Sequence, residues 1–188
     1  GMHALGGNTT ANNNTAVGFE ALKANTTGTQ NVAVGSKTLD ANTTGYYNTA
    51  VGPYSLGANT TGYSNTAIGW KALESNTAGA GNVAVGDEAM LNTTTGGNVA
   101  IGDGAAKTNT TGSQFVAIGS GALADNTTGN YSVALGHSAL KNNTTGTSNI
   151  GIGQYTLYDN ETGQNNTAVG HYVLENNTFV TPKFAEVG

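Results

Sequence analysis

The chain has 188 residues, a formal net charge of -5, 9% charged residues and only six lysines and arginines, scattered singly. That spacing leaves no basic stripe to follow a phosphate backbone, which argues against a nucleic-acid partner. No cysteine is present, so disulfide frameworks and thiolate metal sites are excluded, and no apolar run approaches the roughly 18 residues of a membrane span. Abundant Gly, Asn and Thr would on composition alone suggest disorder. A strict internal period overrules that reading.

In chain order, residues 1–3 read as a cloning scar or leader, and Ala4 to Asn13 as the back half of a repeat. The first full copy, Asn14 to Gln30, is NTAVGFEALKANTTGTQ. Further copies begin at Asn31, Asn48, Asn65, Asn82, Asn98, Phe115, Ser132, Asn149 and Asn166, seventeen residues apart except for one sixteen-residue step from Asn82 to Asn98. A fixed short period is the signature of a solenoid, in which one repeat is one rung. Residues 4–178 are therefore read as the repeat solenoid, and 179–188 as a C-terminal cap or the start of a following segment. Within that tail, Pro182 removes a ladder donor, and Phe179 and Phe184 could cover the last rung.

The repeat positions differ in how much variation they allow. Position 5 is Gly in all ten copies (Gly18, Gly35, Gly52, Gly69, Gly86, Gly102, Gly119, Gly136, Gly153 and Gly170), which calls for a positive φ or a close backbone approach. Positions 1–5 read as a short strand. Its bulky face, positions 2 and 4 (Val17 and equivalents), is expected inside the coil with the position-9 leucines such as Leu22. Its flat Ala/Gly face is expected to meet other chains. A second strand is expected around position 9, and Asn-Thr-Thr-Gly carries turn chemistry. A helix is disfavoured because only about six residues separate the turn signals, below the roughly 12 to 15 an isolated helix needs. The expected fold is all-β: a parallel β-roll or β-helix of about ten 17-residue coils, with Asn and Thr ladders between rungs. So little apolar bulk per coil implies a further buried face, and a homotrimer would supply one.

The runs NTAVGFEALKANTTG, NTAIGWKALESNTAG and NNTAVGHYVLENNTF resemble the repeats of phage tail-fibre proteins and related bacterial surface proteins. The NTAVG, NVAVG and VAIG cores are also similar to those of trimeric autotransporter adhesin heads. The resemblance covers about residues 4–178. It implies a left-handed homotrimeric β-roll on a virion or bacterial surface, acting as a fibre shaft or a receptor-contacting head.

Variation concentrates at positions 6 and 7, where Phe19, Tyr54, Trp70, His137, Tyr155, His171 and Tyr172 lie. Variable side chains on an invariant scaffold are where contacts with a glycan or protein receptor would be placed. His137 and His171 sit two coils apart, roughly 10 Å by the strand spacing, too far to chelate one ion. The nearby carboxylates Glu20, Asp87, Glu88 and Asp103 read as solubility devices, so neither a catalytic set, a metal site nor a cofactor is expected. Stacked threonines also suggest an ice-binding solenoid, a remoter alternative because the Thr pair sits in a turn.

Overall fold

A computed structural model describes residues 1–177 and the backbone of 184–186. Eleven three-residue strands run in chain order: β1 Thr15–Val17, β2 Val32–Val34, β3 Thr49–Val51, β4 Thr66–Ile68, β5 Val83–Val85, β6 Val99–Ile101, β7 Val116–Ile118, β8 Val133–Leu135, β9 Ile150–Ile152, β10 Thr167–Val169 and β11 Phe184–Glu186. They form one parallel sheet in sequential order, each strand paired only with its chain neighbours. The register joins residues one repeat apart, as in Thr49↔Thr66, Ala50↔Ala67 and Val51↔Ile68. The chain is thus an all-β solenoid of 17-residue coils, and no helix occurs among the described residues.

The coil begins earlier than the sequence reading placed it. Gly1 occupies position 5 of an incomplete first coil, and the Met2 carbonyl accepts from the Glu20 amide at 3.0 Å. At the far end, β11 keeps the repeat register against β10, with Thr167↔Phe184. Phe179 and Pro182, and the side chain of Phe184, lie outside the described residues.

The position-5 glycines answer both halves of the sequence argument. Their φ runs from 125° at Gly52 to 140° at Gly35, and a Cβ at Gly69 would overlap the carbonyl oxygen of Gly86 in the next coil. Only glycine tolerates that backbone and that approach.

Two expectations are overturned. The Ala face points inward: Ala33, Ala50, Ala67 and Ala84 are fully buried, while Val17 is 55% and Ile68 40% exposed. The reason is the width of the coil. A Cβ placed on Gly151, the one non-alanine at position 3, would sit 3.4 Å from Leu140 Cγ, so the strand already lies within van der Waals contact of the leucine column. Only a methyl group fits between them, and the β-branched residues are turned out.

The second strand is also absent. Positions 6 to 11 form turns, and the position-9 residue adopts a left-handed conformation, with φ of 51° at Leu22, 50° at Leu56 and 57° at Leu73. That backbone costs a residue with a Cβ roughly 1–2 kcal/mol, whereas full burial of a leucine is worth about 1.5–3 kcal/mol. Burial wins narrowly, and amide pairing adds to it. The Gly35 and Lys37 amides donate to Val17 and Phe19 in the coil before, and the Leu39 and Ala41 amides to Ser55 and Gly57 in the coil after. The turns are therefore hydrogen-bonded between coils much as the strands are.

Two buried asparagine ladders close each coil. Asn31 Nδ2 and Asn42 Nδ2 donate to the same Gly45 carbonyl at 2.8 and 3.1 Å. Each also reaches its counterpart one coil back, Asn42 Nδ2 to Asn25 Oδ1 at 2.8 Å and Asn31 Nδ2 to Asn14 Oδ1 at 3.2 Å. Buried carboxamides satisfied this fully stabilise the stack, since an unpaired one costs about 1–3 kcal/mol.

The sixteen-residue coil interrupts this pattern locally. Thr93 stands in the asparagine ladder, its Oγ1 accepting from Asn109 Nδ2 at 3.2 Å, and the Thr95 carbonyl replaces that of glycine as the acceptor for Asn82 at 2.8 Å. Two coils on, Phe115 fills the asparagine position and is buried.

Candidate functional sites on the coil surface

Two surfaces of the solenoid present groups that its own folding leaves uncovered. The first is the outer face of the sheet. Positions 2 and 4 carry Val, Ile, Leu or Thr in every coil from β1 to β10; among them Val17, Val32, Ile68, Ile101, Leu135, Ile150 and Val169 are at least a third exposed. With parallel strands about 4.8 Å apart, ten coils align this strip over about 48 Å. A contiguous apolar stripe of this kind is a candidate interaction surface.

The second surface is the turn at positions 6 and 7, which holds the seven aromatic and imidazole residues singled out from the sequence. The structure splits them into two groups. Phe19, Tyr54 and Trp70 stand apart: Phe19 meets His3 edge-on at 6.5 Å, Lys37 Nζ lies 6.0 Å from the Tyr54 ring, and Lys71 Nζ lies 5.0 Å from the Trp70 ring. The Trp70 amide donates to Asp87 Oδ1 at 3.2 Å, which ties one variable turn to the next.

The other four come together. The His137 and Tyr155 rings meet edge to face at 5.2 Å, Tyr155 and Tyr172 stack at 5.1 Å, and the His171 and Tyr172 rings are 4.1 Å apart. Tyr158, which the sequence reading did not select, joins from position 10 with its ring 5.5 Å from Tyr155. Lys141 Nζ lies 5.5 Å from the Tyr158 ring and donates to its hydroxyl at 3.3 Å. That hydrogen bond raises the Lys141 pKa above the usual lysine value, with the nearby Asp125 charge adding to the effect.

Sequence reasoning missed a further aromatic group. Tyr46 and Tyr63 stack at 4.9 Å with rings nearly parallel, and Tyr47 meets Tyr46 edge-on at 5.1 Å. These sit at positions 16 and 17 of the repeat, outside the variable columns 6 and 7. The signal was the pair of tyrosines one period apart, Tyr46 and Tyr63, which a parallel stack must bring into contact.

The remaining candidates fall into place more simply. Glu88 pairs with Lys107 at 2.6 Å and Glu20 with Lys23 at 2.6 Å, and among the described residues no cluster of three His, Cys, Asp or Glu could hold a metal ion. In the Asn-Thr-Thr-Gly turns, the first threonine hydroxyl donates to the backbone one coil on, as Thr43 Oγ1 does to the Thr60 carbonyl at 3.1 Å. Asn25, Asn42, Asn59, Asn109, Asn126 and Asn143, which head the Asn-Thr-Thr triplets, are buried; their carboxamides are held in the ladders and withdrawn from modification.

No protein-family model, no curated protein and no solved structure matches this chain.

Proposed function

We propose that the chain is a non-enzymatic shaft segment of a phage tail fibre or a tail-fibre-like bacterial surface protein, displayed on the virion or cell surface and assembled as a homotrimer. The observation that carries this reading is the outward Val/Ile strip of the sheet. Most coils bury one leucine and a few alanines of their own and leave the outward side chains of the strand half-buried or exposed, so a second hydrophobic layer is available only between chains. Packing identical strips around an axis along the solenoid removes that surface from water in every coil at once, at about 25 cal/mol per Å², and closed symmetry prevents open-ended aggregation. The repeat's resemblance to tail-fibre and trimeric adhesin sequences points the same way.

The test is a pair of charges on the strip. Ile68→Lys combined with Ile101→Lys alters only outward side chains, so the sheet should form with an unchanged far-ultraviolet circular dichroism spectrum. Sedimentation equilibrium should shift from trimer to monomer. A variant that stays trimeric would show that the strip is not the interface.

A further inference from the structure

We propose that the ring cluster of His137, Tyr155, Tyr158 and Tyr172, with Lys141 at its edge, is a binding site for a neutral saccharide; the inference rests on the reading of the chain as a surface-displayed fibre. The solenoid itself does not call for these rings. Position 7 has a left-handed backbone in every coil, and two coils fill it with Gly104 and Gly121, at φ 62° and 68°, where Tyr155 and Tyr172 sit at 56° and 59°. Glycine adopts that conformation freely and tyrosine does not. Tyr172 remains 46% exposed, so its ring adds little to the core of its own coil.

Polar groups on the rim are set in complementary roles. His137 Nδ1 lies 3.1 Å from the Ser120 carbonyl; a carbonyl only accepts, so in the neutral imidazole Nδ1 carries the proton and Nε2 is the acceptor. The Tyr155 hydroxyl, 3.3 Å from Nε2, therefore donates its proton there and keeps its oxygen lone pairs for a ligand donor. At Tyr158 the roles reverse. Its oxygen accepts from Lys141, which leaves its O–H free to donate. One acceptor and one donor beside a stacked aromatic pair match a sugar, whose C–H face lies on a ring while its hydroxyls both give and take hydrogen bonds.

Charge selects the kind of sugar. Lys141 is the lysine that borders the rings, and Asp125 lies near enough to offset its charge. Further along the same edge lies Asp159, which accepts from Asn142 Nδ2 at 2.7 Å. This acidic surround disfavours sialylated or phosphorylated ligands and leaves neutral saccharides.

The experiment applies the full chain to an array of neutral and sialylated oligosaccharides and measures affinity for the best neutral glycan, with oligomeric mass recorded on the same samples. Binding to neutral glycans should weaken by up to about tenfold in Tyr172→Ala, the scale of one lost aromatic contact. Tyr155→Phe, which keeps the ring and removes the hydroxyl, should weaken it less, and Tyr46→Ala, in the other aromatic group, should leave it unchanged. Neutral-glycan binding lost in Tyr172→Ala by a chain that proves monomeric would support the site while removing the shaft reading. An intact trimer that binds no neutral glycan, that binds only sialylated ones, or that binds equally after Tyr172→Ala would overturn the site.

Discussion

At the residue scale the chain shows how little space its interior holds. Position 3 is alanine in nine of ten coils and glycine only at Gly151. A Cβ there would meet Leu140 Cγ and the Thr156 carbonyl oxygen at 3.4 Å, ordinary contact distances, and no positive φ opposes it. Gly151→Ala should therefore raise stability by about 0.4–1 kcal/mol through the unfolded chain, read as a higher midpoint in urea with an unchanged slope. A lower midpoint would mean that the Ala and Leu columns are already in hard contact. The position-5 glycines were legible in the sequence for the same reason that makes them irreplaceable, an invariant small residue where every neighbour varies. Alanine was legible as small, but its direction was not: when both faces of a three-residue strand are apolar, alternation does not say which face is inside. The leucine column decides it by filling the coil from the opposite side.

At the scale of the element, one coil is held by its ladders as much as by its apolar contacts. Asn59 Nδ2 donates to Asn42 Oδ1 at 2.8 Å and to the Gly62 carbonyl at 3.1 Å, and Asn59 Oδ1 accepts from Asn76 Nδ2 at 3.2 Å. Asn59→Ala removes all three and leaves buried partners on both adjoining coils, each costing about 1–3 kcal/mol. The expected loss is larger than for a surface substitution, and hydrogen exchange should show it spreading to the coils on either side; protection lost only in the coil of Asn59 would deny the ladder its role. Asparagine stacking was readable from the period, because a parallel stack places equal positions together. The turns at positions 6 to 11 were not. Their left-handed Leu22 and Leu56 break the usual preference of leucine, and only the coil-to-coil amide pairing, which no local pattern reveals, makes that conformation pay.

At the scale of the molecule, the solenoid separates two tasks along its perimeter. The outward strip of β1 to β10 repeats in every coil and suits a repeated partner, another copy of the same chain. The turn at positions 6 and 7 changes from coil to coil and gathers its largest group of rings where His137, Tyr155, Tyr158, His171 and Tyr172 meet. The seven residues chosen from the sequence shared a column, but a column is a line along the rod; which neighbours along it touch depends on side-chain reach, and Tyr158 enters from another column altogether. The shaft reading stands or falls on the strip. Light scattering of the unmodified chain over a range of concentrations measures it most directly: the account predicts a mass three times the 18.8 kDa of one chain, constant on dilution, and a mass of one chain at every concentration would contradict it.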